Sequence, residues 1–245
     1  MKTKSLSAIE RIIFPLDFTS LEEAKPYIKM LKDHVGLFKV GLTLFVKEGP
    51  RVIEEIQKIA KGNKVFFDLK FHDTPETIGN VSTVLMSLSQ GIKFITVHTS
   101  EGEAIVKAAV DAMKNGTEVL GVTVLTSLGQ GELQALGFSV TLEQRVLHLA
   151  EIARKGGCVG IVCSGREVRA VKQKFGKDFT VVTPGIRPSW SVIPGDDQRR
   201  IVTPKEAIMQ GTDYIVVGRP IYRAPKPVEA AERIAQEIED ATPKP

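Results

Sequence analysis

Eight short β-branched or aromatic runs, separated by stretches whose apolar residues recur every three or four positions, predict a (β/α)8 TIM barrel. The length agrees, since α/β barrels near this size commonly form a single domain and the chain has 245 residues. An open doubly wound sheet is the structural rival, and it usually carries a glycine-rich first turn. Here no G-x-G-x-x-G follows the first run, and no P-loop occurs anywhere.

In chain order the runs are "RIIFPLD" (11–17), "GLFKVGL" (36–42), "KVFFDLK" (64–70), "KFITVH" (93–98), "EVLGVTVL" (118–125), "CVGIVC" (158–163), "FTVVTPG" (179–185) and "DYIVVGR" (213–219). Amphipathic segments such as "GPRVIEEIQKIAKG", "EGEAIVKAAVDAMKNG", "TLEQRVLHLAEIARKGG" and "TPKEAIMQG" lie between them. "PVEAAERIAQEIED" follows the last run, as the closing helix of a barrel should. No linker or composition shift divides residues 1–245, and only the end, at about 240–245, reads as a loose tail.

A composition of 42% hydrophobic and 25% charged residues is that of an ordinary globular protein with a sizeable core. No apolar run approaches the ~20 residues of a membrane span. "MKTKSLSAIE" is basic without the apolar stretch of a signal peptide, so a cytoplasmic protein is expected. The net charge of +4 comes from Lys and Arg interleaved with Asp and Glu, with no basic run carrying aromatics. A mixed solvated surface fits this better than a nucleic-acid face, and a small anionic substrate suits the modest excess. Cys158 and Cys163 stand five apart on one strand and point to opposite faces, so reduced core thiols are expected rather than a bridge. The four histidines have no zinc spacing, and no metal site is expected.

In a barrel of this kind, chemistry sits at the C-terminal ends of the strands and on the loops beyond. Asp17 closes the first run, Lys39 lies within the second, and Asp68 and Lys70 close the third. His98 ends the fourth, Thr126 and Ser127 follow the fifth, and Gly218 and Arg219 close the eighth. Asp68 and Lys70 are two apart on a strand, which sends both side chains to one face. If that face is the barrel interior, Lys39 reaches them from the adjacent strand. Asp73, three residues on, then closes an alternating chain of Lys39, Asp68, Lys70 and Asp73. Such a group is neutral overall, which softens the cost of burial. A structural salt-bridge network at the rim is the plainer alternative.

Barrels often bind phosphate on the loops after strands seven and eight. In "VVGRPI", Gly218 permits close backbone approach and Arg219 offers a bidentate guanidinium, although an Arg closing a helical turn would look the same. "PGIRPSWSVIPGDDQRR" after the seventh run is long enough to be a binding loop or lid. Trp190 within it reads equally as an anchor for the loop or as a packing residue.

Taken together, "DLKFHDTPET", "LD" at the first strand, "FKVG" at the second, "VTVLTS", "TPGIRP", "DDQRR" and "VGRPI" resemble the orotidine 5′-phosphate decarboxylase family of the bacterial type. The resemblance runs from about residue 11 to 222, with the motifs in order. It implies a lyase of UMP biosynthesis, decarboxylating orotidine 5′-monophosphate without a cofactor in the last step of pyrimidine nucleotide synthesis. Lys39, Asp68, Lys70 and Asp73 would be the catalytic tetrad, with Lys70 the proton donor. It further implies a homodimer in which Asp73 and Thr77 serve the neighbouring site. Asp17 and Lys39 would hold the ribose, Thr126 would line the pyrimidine site, and Arg187, Gln198, Gly218 and Arg219 would grip the phosphate. Glu101 departs from the glycine the family often has there.

Three rivals remain open. A metal-dependent sugar-phosphate decarboxylase on the same scaffold would hold Mg²⁺ near Asp68 and be sensitive to chelators. A non-catalytic phosphate-ligand binder would be favoured by a missing tetrad member, and none is missing. A nucleic-acid partner rests on pI alone and would bind with a steep salt dependence.

Overall fold

The computed structural model describes residues 6–62, 64–88, 91–113, 116–191 and 200–242. The first half runs β1 (Ile12–Pro15), α1 (Leu21–Leu31), β2 (Leu37–Val40), α2 (Leu42–Glu48), α3 (Arg51–Ile59), β3 (Lys64–Phe71), α4 (Pro75–Leu88), β4 (Ile92–His98) and α5 (Glu103–Ala112). The second runs β5 (Glu118–Val122), α6 (Gln130–Ala135), α7 (Leu142–Lys155), β6 (Gly160–Val162), α8 (Val168–Phe175), β7 (Thr180–Thr183), α9 (Pro204–Gln210), β8 (Tyr214–Val216), α10 (Arg219–Tyr222) and α11 (Pro227–Ala241). Each strand pairs in parallel with the next, and β8 returns to β1 through Ile12 opposite Ile215, closing the barrel predicted from the sequence.

Each of the eight runs coincides with one strand; β3 and β4 each extend one residue past their runs, and the other six strands are shorter than theirs. At β1 and β8 backbone pairing ends before the apolar stretch does. Asp17 therefore lies two residues beyond β1 rather than closing it, and Gly218 and Arg219 lie beyond β8. Gly218 turns the chain out of the barrel as the N-cap of α10, and Arg219 is the first residue of that short helix. The helices start where the sequence supplies partners for their first N–H groups. Thr141 and Gln144 form a reciprocal cap on α7, and Thr203 and Glu206 do the same for α9.

The two faces of the strands have separate cores, as a period of two requires. Ile13, Leu37, Phe66, Phe94, Leu120, Val182, Tyr214 and Val216 fill the barrel interior. Phe66 meets Phe94, and Phe94 meets Tyr214, both edge to face. The alternate residues, among them Phe14, Phe38, Phe67, Ile95 and Ile161, pack outward with apolar residues of the helices. Cys158 and Cys163 are buried free thiols, and burial pushes Cys158 up to about 12. No helix among the described residues is long and apolar enough to cross a membrane.

One buried ion pair fastens three loops at the C-terminal end of the barrel. Arg200, just before α9, donates to Glu167 Oε1 at 2.9 Å and to the carbonyls of Val124 at 3.2 Å and Leu125 at 3.0 Å. The Ser164 hydroxyl donates to the Arg200 carbonyl at 3.3 Å. Burial pushes the Glu167 carboxyl up even with Arg200 beside it, so the pair is under desolvation stress. Glu167→Gln would leave the guanidinium charge uncompensated at a cost of about 3 kcal/mol. For a chain of this size that lowers the thermal midpoint by roughly 6–12 °C. Scanning calorimetry checks it, and an unchanged midpoint would show that the charge pair does not hold the loops.

Candidate active site

Immediately above the aromatic floor of the barrel, the inward positions turn polar. Continuing the period of two, Ile13 leads to Pro15, Leu37 to Lys39, Phe66 to Asp68 and Phe94 to Thr96. Pro15, Lys39, Phe66 and Asp68 line an open cavity of about 650 Å³ at the C-terminal mouth. Its size is that of a small-molecule site.

Asp68 is the centre of the charge arrangement and is only 7% exposed. Its Oδ2 accepts from Lys70 Nζ at 2.8 Å and lies 3.6 Å from Lys39 Nζ. Its Oδ1 accepts from the Thr96 hydroxyl at 3.0 Å. Lys39 Nζ in turn reaches Asp17 Oδ1 at 3.1 Å. The observed run of alternating charge is therefore Asp17, Lys39, Asp68, Lys70. Burial by itself would raise the Asp68 pKa, but Lys39, Lys70 and the hydrogen bonds outweigh it and hold the carboxyl below its ordinary value. Burial likewise disfavours the Lys39 ammonium, and Asp68 and Asp17 more than reverse that, raising its pKa. Gly41 leaves room for this contact, because a Cβ there would lie 3.1 Å from Lys39 Nζ.

Asp68 and Lys70 meet as their spacing suggested, but not on a regular strand. The β3–β4 register slips between Phe67 and Phe71, and Lys70 has φ of +53°. It is the one non-glycine residue in the left-handed region among the described residues. Such a backbone costs of order 1–3 kcal/mol and persists where surrounding contacts over-determine it, commonly at functional sites. The Lys70 N–H donates to Thr96 Oγ1 at 2.9 Å.

Asp73 does not join this group within the chain. It is exposed, its Oδ1 accepts from the Thr74 N–H at 2.7 Å, and no described ion pair links it to Lys70. Thr77, at the start of α4, is also exposed, with its hydroxyl 3.0 Å from that of Thr74. Neither lines the cavity.

Thr126, Arg187, Gly218 and Arg219, as the sequence suggested, line the same cavity, together with Ser127. Gln198 lies outside the described residues. Arg187 is buried and donates to the Ile186 carbonyl at 2.9 Å. A Cβ on Gly218 would come within 2.8 Å of Pro15 Cγ, so only glycine lets the chain leave β8 against β1 here. Trp190 donates to Glu237 Oε1 at 2.7 Å and lies under the Arg233 guanidinium, 4.5 Å from its centroid. It thus anchors the beginning of its loop to α11. Glu101 meets His72 Nε2 at 2.8 Å, and burial holds the His98 pKa down nearby.

Sequence reasoning missed Thr96, Tyr222 and Arg223. Arg223 lines the cavity and follows Arg219 by four residues, a helical spacing that was available as a signal. Thr96 sat in plain view within "KFITVH", on the same strand face as Phe94, but nothing local distinguished it from a strand-forming threonine.

The model of the Orotidine 5′-phosphate decarboxylase / HUMPS family matches residues 10–234. The orotidine 5′-phosphate decarboxylase of Desulfosudis oleivorans is 42% identical over 242 residues, covering 97% of this chain and 96% of the relative. That of Geotalea uraniireducens is 43% identical over 234 residues, covering 93% and 95%. The crystal structure of orotidine 5′-phosphate decarboxylase from Lactobacillus acidophilus superposes with a TM-score of 0.79 at 36% identity, covering 93% of this chain and 98% of that one. With its closed barrel and a family match spanning nearly its whole length, the chain belongs to the orotidine 5′-phosphate decarboxylase / HUMPS family.

Proposed function

We propose that the protein converts orotidine 5′-monophosphate to UMP and CO₂, as a cytoplasmic, single-domain carboxy-lyase of pyrimidine nucleotide synthesis. The observation that carries this reading is the run Asp17–Lys39–Asp68–Lys70 lining a cavity that Arg187 and Arg219 also line. A dianionic phosphate suits the two guanidiniums. The reacting pyrimidine then lies toward Lys70, with Thr126 beside it and Asp17 and Lys39 available to the ribose hydroxyls.

Decarboxylation breaks the bond between C6 and the carboxylate carbon and leaves the electron pair on C6. No adjacent carbonyl delocalises it well. An ammonium held beside C6 stabilises that charge as it develops and then supplies the proton, so the Nζ–H bond of Lys70 breaks as the C6–H bond forms. The neutral amine regains its proton from solvent. Asp68 would face the substrate carboxylate. Two such charges about 4 Å apart repel by roughly 4 kcal/mol at an effective dielectric of ~20. Lys39 and Lys70 screen Asp68, so we assign it chiefly the task of orienting Lys70, which takes the larger catalytic share. The phosphate lies far from C6, and its binding energy holds the ring where the charges are. Exposed Asp73 and Thr77 fit contribution to a neighbouring site in a homodimer.

Incubation with orotidine 5′-monophosphate should give UMP, followed by the change in pyrimidine absorbance, equally with and without EDTA. Absence of conversion, or loss of activity with EDTA, would favour a metal-dependent sugar-phosphate reaction instead. Lys70→Ala should lose at least about 10⁴-fold in kcat. Arg219→Ala should lose about 10–150-fold in kcat/KM, and a change confined to thermal stability would contradict the phosphate assignment.

A carboxyl depressed in the folded state adds stability that is complete above its unfolded pKa, near 3.9, and disappears as pH falls through the lower native value. The difference in thermal midpoint between wild type and Asp68→Asn should therefore be constant from about pH 5 upward and shrink below about pH 4. A difference that persists undiminished at pH 2.5 would show that the Asp68 charge is not its source.

A further inference from the structure

One threonine touches both halves of the central ion pair. Thr96 of β4 is fully buried, and its single hydroxyl accepts from the Lys70 N–H at 2.9 Å while donating to Asp68 Oδ1 at 3.0 Å. The register explains how it comes to do so. Phe67 pairs with Ile95 and Phe71 with Val97, so three residues of β3, from Asp68 to Lys70, lie opposite Thr96 alone. A side-chain oxygen replaces the missing ladder acceptor there. Because that oxygen takes the Lys70 amide, its own proton is directed to Asp68 Oδ1, which leaves Oδ2 for the two ammoniums.

We infer that Thr96 is a positioning residue for the decarboxylation proposed above: its hydroxyl locks the left-handed backbone of Lys70 and the carboxylate of Asp68 against each other. Without it the amide of Lys70 and Oδ1 of Asp68 both lose their partner, and the strained segment has one fewer contact to hold it. The Lys70 ammonium then samples positions away from C6. The loss falls on the chemical step, because Thr96 lies behind Asp68 and Lys70 and does not itself line the cavity.

Steady-state kinetics on Thr96→Val and Thr96→Ser tests this. Thr96→Val should lose about 10–100-fold in kcat, with KM within about twofold of wild type. Thr96→Ser, which keeps the oxygen, should stay within about threefold of wild-type kcat. Wild-type kcat in Thr96→Val, or equal losses in both variants, overturns the inference. If Thr96→Val does not fold, Thr96→Ser and Thr96→Cys decide, since they differ only in oxygen against sulfur. Activity kept by serine and lost by cysteine supports the hydroxyl, and equal activity overturns it.

Should the wild type fail to convert orotidine 5′-monophosphate, the functional reading fails on its own. The role of Thr96 is then read from the Asp68 carboxylate, by NMR titration of ¹³Cγ-labelled aspartate assigned with Asp68→Asn. Its midpoint should rise in Thr96→Val and return in Thr96→Ser, and an unmoved midpoint overturns the inference.

Discussion

The contact between Asp68 and its two ammonium partners, at 2.8 Å to Lys70 and 3.6 Å to Lys39, sets the terms for everything around the barrel mouth. A carboxylate this deeply placed survives as an anion only if opposite charge and hydrogen bonds replace the water it has lost. The fold supplies them from three neighbouring strands. β2 brings Lys39, β3 brings Lys70, and β4 brings the hydroxyl of Thr96. Asp17 extends the alternation to the loop beyond β1. Removing any one of these takes a partner from a neighbouring buried group, which is why the arrangement behaves as a unit.

The barrel makes such a unit affordable. Its interior below the site is a rigid stack of Phe66, Phe94 and Tyr214 with aliphatic neighbours, so the strands that carry the charges cannot spread to relieve repulsion. Above the site, Arg200 and Glu167 bind the loops after β5 and β6 to the segment entering α9. The loop carrying Thr126 is thereby held through two of its own carbonyls. Among the described residues the one non-glycine backbone in the left-handed region is that of Lys70, whose ammonium is the group the proposed reaction would need aimed.

Much of this was legible in the sequence, and the limits have physical causes. The eight strands announced themselves because parallel strands buried on both faces read as continuous apolar runs. Their ends did not, since apolar character continues past the last backbone pair at Pro15 and at Val216. Lys39, Asp68 and Lys70 stood out because charge within an apolar strand is costly and calls for a reason. Thr96 and Arg200 gave no such signal. A threonine in a β-branched run needs no explanation, and its carboxylate partner lies 28 residues away. Arg200 looked like part of a polar loop, although its acceptors lie 33 to 76 residues back. The bulge at Lys70 was also hidden, because alternation along a strand presumes the regular pleat that this segment abandons.

Stabilisation of a carbanion at C6 is tested most directly by running the protonation step backwards. A site that delivers a proton to that carbanion must also remove it from the product, by microscopic reversibility. UMP is incubated with the protein in D₂O, and the C6 proton is followed by NMR. Loss of that signal with the wild type, and none above the uncatalysed background with Lys70→Ala, is the predicted result. UMP that binds the wild-type site and keeps its C6 proton would contradict it.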